Sequence, residues 1–166
     1  MVRISIRFPF CCLTSRIVVF SFWTSTLDFV QQMLKEGGIV HTRIGGKTSL
    51  AKRAEAMRLF QTDDAIRVIL VSITCGGAGW VQLRLCRSSY LLNLFRLDLT
   101  AGSRAYLLEP HWNPMIEEQA LCRVHRVGQR RNVTTVRYII RNSFEKVRFT
   151  HCKIDKQKNW SISSKL

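Results

Sequence analysis

Short unbroken apolar runs alternate along this chain with segments whose apolar positions recur at helical spacing. Arg16–Phe22 is β-branched and apolar, and predicts a buried strand. Leu27, Val30, Met33 and Leu34 then recur with a helical period; Thr24 or Ser25 can cap that helix, and Gly37-Gly38 ends it. Ile39–Thr42 predicts a second short strand. Ser49–Phe60 predicts a basic amphipathic helix with Leu50, Ala54, Met57, Leu59 and Phe60 inward, and Thr62-Asp63-Asp64 a turn. Ile66–Ser72 is apolar at nearly every position, the pattern of a strand in a parallel sheet covered on both faces. Ala105–Leu108 and Val133–Ile140 complete the strands. Pro114–Arg126 predicts a helix with Pro114 in its first turn, Ala120, Leu121, Val124 and Val127 at helical spacing, and Gly128 near its end. Alternating strands and helices predict an α/β domain, a doubly wound, mainly parallel sheet flanked by helices. Ligands of such sheets gather beyond the carboxyl ends of the strands, where the loops after Ile66–Ser72 and Ala105–Leu108 fall.

A length of 166 residues predicts one domain, with enough chain to bury a core unaided. The formal net charge of +15 changes the picture more. Up to residue 83 there are ten basic and five acidic residues; after it there are sixteen and six. This surplus favours a polyanionic partner such as DNA, RNA or nucleotide. A membrane surface is disfavoured, because no long basic amphipathic helix is visible. The 6 cysteines show no CxxC spacing, which predicts reduced thiols in an intracellular protein. The first residues have a basic start and a short apolar run, but Arg7 and Pro9 interrupt it, so a secretory leader is not expected.

The candidate chemistry centres on Glu118–Gln129, EQALCRVHRVGQ. Arg123 and Arg126 stand three apart, and on a helix such positions share a face. Two guanidiniums aimed the same way suit one polyanion; the same spacing also describes a solvated basic helix face. His111 and His125 lack any paired metal-ligand spacing, and no metal site is predicted. Gly45-Gly46-Lys47-Thr48 ends like a P-loop, but that pattern needs glycine at position 41, where the chain has His41.

The segment Glu118–Gln129 resembles motif VI of superfamily-two helicases, in the form used by Swi/Snf-type DNA translocases. Three further stretches resemble that family in order: IVVFSFWTSTLDFV at Ile17–Val30 (motif IV), VILVSITCGGAG at Val68–Gly79 with LDLTAGSR at Leu97–Arg104 (motif V), and LLEPHWNP at Leu107–Pro114 before motif VI. The wording is closest to the subgroup of the helicase-like transcription factor and the RING-containing post-replication-repair translocases. The resemblance implies a second RecA-like lobe over residues 16–147. It implies arginine fingers at Arg123 and Arg126, acting on a phosphoryl group by charge and position. Nucleotide contacts are implied at Gly77, Gly79, Asp98, Gln119 and Gln129, with Gly76 in the same loop. DNA contacts are implied at Ser72, Trp112, Lys47 and Arg43. The implied partners are duplex DNA and a first RecA-like lobe, the implied location the nucleus.

Two departures qualify this expectation. Trp80–Arg96 separates Gly79 from Leu97 and splits motif V; its apolar, basic composition without Gly or Pro is read as a retained intron or gene-model error. Residues 1–15 and 148–166 lack family wording. The chain also carries neither a P-loop nor the acidic pair that holds magnesium, parts that belong to the first lobe of the family. ATP and Mg2+ are therefore expected only in the complete two-lobe enzyme, none bound by this chain alone. Rival readings are a non-catalytic basic nucleic-acid-binding fragment and a pseudogene product.

Overall fold

The structure, a computed structural model, describes residues 15–73 and 97–140. Among the described residues, five strands and three helices follow one another as β1 (Ile17–Ser21), α1 (Thr24–Glu36), β2 (His41–Ile44), α2 (Leu50–Thr62), β3 (Val68–Ser72), β4 (Arg104–Leu107), α3 (Pro114–Leu121) and β5 (Thr134–Arg137). They form one sheet in the order β2-β3-β1-β4-β5, with every pairing parallel. This is the doubly wound α/β lobe that the sequence predicts.

β1 is central and buried at all five positions, and its alternation divides the core. Val18 and Phe20 join Ile69, Val71, Ala105 and Leu107 against Phe60 of α2 and Ala120 of α3. Ile17 and Val19 join Val68, Leu70 and Tyr106 against Leu27, Val30 and Leu34 of α1. Strands covered on both faces must be apolar throughout, which accounts for the unbroken runs. Each large aliphatic or aromatic side chain removed from water here contributes about 1.5–3 kcal/mol.

The element bounds differ from the sequence expectation at several places. β2 begins at His41 rather than Ile39, because Gly37-Gly38 and Ile39 close the end of α1: the Ile39 N–H donates to the Leu34 carbonyl at 2.9 Å. Neither Thr24 nor Ser25 caps α1; Trp23 holds the N-cap position and its side chain makes no cap hydrogen bond. α2 is capped by Ser49, but Leu50 in its first turn is 37% exposed rather than inward, and Ala56 is buried instead. β5 is limited to Thr134–Arg137 and, among the described residues, pairs on one side only.

The largest departure is in the helix predicted over Pro114–Arg126. It starts as expected, with Asn113 accepting from the Met115 N–H at 3.0 Å and Pro114 at the first position. It ends at Leu121. Beyond Cys122 the chain turns, and the Arg123 carbonyl accepts from the Leu99 N–H at 3.1 Å instead of from a helical partner. Val124 is buried in the core, whereas Val127 is fully exposed. Arg123 and Arg126 thus lie on consecutive turns, and the shared helix face does not exist.

Gly102, just before β4, is the tightest packing point. A Cβ there would lie 2.7 Å from Val18 Cγ2 and 3.2 Å from the Leu99 carbonyl oxygen. Val18 is a buried, stiff, β-branched residue of the central strand and has little room to yield. Gly102→Ala is therefore expected to destabilise the fold by about 1–3 kcal/mol, an overpacking cost, read as a lowered thermal midpoint. An unchanged midpoint would mean that β1 and this loop are not packed as described.

Trp80–Arg96, Gly76, Gly77 and Gly79 lie outside the described residues, as do residues 1–14 and 141–166.

Candidate functional site

The candidate residues divide between the two edges of the sheet. At the carboxyl edge, Ser21 and Ser72 are register partners at the ends of β1 and β3, and both are buried. The Ser72 hydroxyl is thus enclosed by protein rather than presented to solvent. After β4 the chain places Glu109 against β1: its Oε1 lies 3.0 Å from Ser21 Oγ, and its Oε2 accepts from the Phe22 N–H at 3.2 Å.

This junction carries a run of rings. Phe22 meets Trp23 edge-on at 5.1 Å and His111 at 4.6 Å, and His111 meets Trp112 at 5.4 Å. The two ends are open: Trp23 is 60% and Trp112 is 73% exposed. The loop bearing Trp112 is held from beneath. The His111 N–H donates to Glu117 Oε1 at 2.7 Å, and Glu117 Oε2 lies 3.4 Å from Arg137 Nε on β5. Glu117 is buried at 6% exposure, so the carboxylate survives there because it is hydrogen-bonded and paired.

Lys47 lies exposed on the turn after β2, at the same edge. The turn is built by Arg53, whose Nε donates to the Thr48 carbonyl at 2.9 Å and whose NH2 lies 3.2 Å from the Gly46 carbonyl. Gly45 N–H donates to Thr48 Oγ1 at 2.9 Å. Arg43, predicted beside Lys47 as a DNA contact, pairs with Asp28 and donates to Gln31 of α1 at 2.7 Å. Its charge is largely committed to the protein.

At the amino edge a second group forms. The Asp98 carboxylate is turned onto its own loop, Oδ1 accepting from the Thr100 N–H at 3.1 Å and from Thr100 Oγ1 at 2.7 Å. Its carbonyl accepts from Gln61 Nε2 of α2 at 3.2 Å. The Gln129 side chain donates to the carbonyls of Thr100 at 2.8 Å, Gly102 at 3.0 Å and Val124 at 3.1 Å. Ser103 N–H donates to the Arg16 carbonyl at 3.0 Å and Thr134 N–H to the Ser103 carbonyl at 2.9 Å, which joins the group to the starts of β1 and β5. Arg16 is anchored in turn on Asp64 at 2.8 Å and on the Gln61 carbonyl.

Arg126 is half-buried on this block, and its guanidinium has no hydrogen bond or ion pair with another described residue. Gln119 is exposed near the end of α3. The structure therefore brings Asp98, Arg123, Arg126 and Gln129 together and sets them apart from Ser72, Trp112, Lys47 and Arg43. Among the described residues no three His, Cys, Asp or Glu side chains gather to hold a metal ion. No helix among them is long and apolar enough to cross a membrane. Of the described ionisable side chains, Tyr138 after β5 shows the effect of burial, which pushes its phenol above the usual value with the neighbouring Tyr106 adding to it.

Sequence reading missed Arg53, Glu109 and Glu117. Arg53 sits on the face of a basic helix, where its spacing from the Gly45-Gly46 turn is the only available signal. The two glutamates occur in a stretch whose aromatic and proline residues dominate the pattern.

The family described as the helicase conserved C-terminal domain matches residues 11–128, most of the chain. The chain belongs to that family. Its curated relatives are Swi/Snf-type proteins. It is 34% identical over 131 residues to "DNA repair protein RAD5A" of Arabidopsis thaliana, covering 79% of this chain and 11% of the relative. It is 33% identical over 130 residues to the "Helicase-like transcription factor" of Homo sapiens, covering 77% of this chain and 11% of the relative. This helicase C-terminal lobe thus spans about a tenth of the length of the curated relatives it matches. The C-terminal part of the Fun30 ATPase domain superposes with a TM-score of 0.69 at 23% identity, over 82% of this chain and 39% of that one, and supports the fold.

Proposed function

We propose that this lobe is the second half of a DNA-dependent ATPase of the Swi/Snf type, a translocase on duplex DNA working in repair or chromatin remodelling in the nucleus. The observation that carries the reading is the division of the site. A half-buried Arg126, with no partner among the described residues, sits on a hydrogen-bonded block at one edge of the sheet, and an exposed Trp112 with Lys47 sits at the other. That arrangement lets one lobe offer a cation to a phosphoryl group while its other edge rests on nucleic acid. Arg126 and Arg123 fit the needs of a γ-phosphate, because phosphoryl transfer is catalysed mostly by positioning and charge stabilisation. The relatives carry names in DNA repair and transcription, which supports the choice of DNA. The P-loop and the acidic pair for Mg2+ are supplied by a first lobe in this reading, so ATP and Mg2+ are held between the two. Gly77, Gly79, Asp98 and Gln119 remain the proposed nucleotide contacts, and Trp112, Lys47 and Arg43 the proposed DNA contacts; the enclosed Ser72 hydroxyl is not among them. Arg43 acts through its Asp28 pair or only after leaving it.

The second reading, a non-catalytic basic nucleic-acid-binding module, is favoured by one observation: the net charge of +15 needs no second lobe to act. Both readings predict that the 166-residue chain binds duplex DNA weakly and without sequence preference. Affinity is expected to fall steeply with added salt, since each phosphate contact releases a counterion and contributes about one unit to the log–log slope. Fluorescence anisotropy of a labelled duplex from low to physiological salt measures it; a flat response would remove DNA as the partner. ATP turnover then separates the readings, once the chain is joined to a compatible first lobe with Trp80–Arg96 deleted. DNA-stimulated turnover in that two-lobe enzyme supports the first, and its absence the second.

A further inference from the structure

Gln129 is placed by its resemblance among nucleotide contacts, yet its side chain is already spent. Two N–H groups serve three main-chain carbonyls, those of Thr100, Gly102 and Val124, at 2.8–3.1 Å. Its Oε1 accepts from the Arg131 N–H at 3.0 Å. An amide so engaged has no donor left for a phosphate unless the loop comes apart. The carbonyls it holds lie on two chain segments, the loop before β4 and the turn after α3. These segments touch again where the Leu99 N–H donates to the Arg123 carbonyl. Gln129 also closes the turn that bears Arg126: its backbone N–H donates to the Arg126 carbonyl at 3.0 Å, across Val127 and Gly128. Gly128 has φ of +102°, a conformation glycine adopts freely at the third position of such a turn.

We infer that Gln129 is a positioning residue, a clamp that fixes Arg126 relative to the Asp98–Gly102 loop, and that it does not contact nucleotide. The inference rests on the arginine-finger reading above. The side chain of Arg126 has no partner among the described residues, so the backbone of its turn is what fixes the point from which it reaches. That backbone is tied to the lobe through the Gln129 amide. A finger must meet its phosphate within a fraction of an ångström, so a loosened turn costs rate without costing ground-state affinity.

Two measurements test this. In the 166-residue chain, Gln129→Ala should speed amide exchange at Leu99 and Val124 about tenfold or more and leave Val19 and Leu70 of the central sheet unchanged. Equal protection at Leu99 in parent and variant would overturn the clamp; loss of protection in Val19 and Leu70 too would mean unfolding, and Gln129→Asn, which keeps the amide on a shorter arm, then replaces it. In the two-lobe enzyme Gln129→Ala should lower kcat about tenfold to a hundredfold with KM for ATP unchanged, Gln129→Asn should be intermediate, and Gln129→Ala should add little when Arg126 is already alanine. A raised KM with kcat preserved would make Gln129 a nucleotide contact and overturn the inference. Full additivity with Arg126→Ala would overturn it as well. An Arg126→Ala enzyme that turns over normally is a different result: it removes the finger reading itself, and the clamp's purpose with it.

Discussion

Arg126→Ala in the two-lobe enzyme is expected to cut DNA-stimulated ATP turnover by roughly a thousandfold, with Arg123→Ala comparable. The guanidinium of Arg126 has no partner within the described lobe, so its removal leaves the lobe's own hydrogen bonds intact. The loss should therefore appear in kcat, with the thermal midpoint unchanged. Lysine at position 126 should recover little, because an ammonium is a point charge and lacks the planar fork. DNA affinity should fall only slightly, since one charge is a small part of a net +15. The chain without a first lobe should show no turnover above background. Turnover that survives both alanine changes while DNA affinity collapses would recast both arginines as phosphate-backbone contacts and favour the binding-module reading.

Glu117→Ala is expected to destabilise the lobe by about 2–3 kcal/mol. The change strips the His111 N–H of its acceptor in a buried site and leaves Arg137 without its counterion. An unsatisfied buried donor costs about 1–3 kcal/mol. Breaking a fully buried pair costs more, but the Arg137 side chain keeps 32% of its exposure and recovers some hydration. For a domain of this size the midpoint should drop by about 5–15 °C. Glu117→Gln keeps the acceptor and loses the charge, so its drop should be the smaller. Trp112 fluorescence should report loosening of the loop before global melting, best read with Trp23, Trp80 and Trp160 replaced. An alanine variant that melts with the parent would show that Glu117 does not hold this loop.

The fold was legible because a parallel sheet covered on both faces demands runs such as VILVS and IVVFS, which little else in a basic chain explains. The helix over the arginines was misread for a physical reason. Periodicity records which residues are buried, and Ala120 and Val124 are both buried, one on α3 and one on the turn after it. What ends α3 is long-range: the Arg123 carbonyl has its partner at Leu99, and no local pattern encodes that. The same holds for the two-edged division of the site. The rule that ligands collect at carboxyl ends of strands points to the edge where Trp112 and Lys47 lie, but the arginine turn is held at the amino ends of β1 and β4 by Gln129 and Gly102. Arg43 shows the converse limit, since a cation on a basic turn gives no sign that Asp28 and Gln31 lie on the adjoining helix.

The strand order has a consequence for how the chain emerges from a ribosome. Of the five described strands β1 is made before the others, and both its neighbours come later, β3 from Val68 and β4 from Arg104. At a synthesis rate of about 5–20 residues per second, IVVFS waits several seconds for its first partner and longer for its second. During that interval an apolar strand with two unpaired edges is open to other nascent chains. α1 follows at once and can shield Ile17 and Val19, but the face bearing Val18 and Phe20 stays bare until Phe60 and then Ala120 arrive. The lobe's early yield in a cell should therefore depend on chaperones that hold extended apolar segments, and a slower ribosome should make that dependence worse.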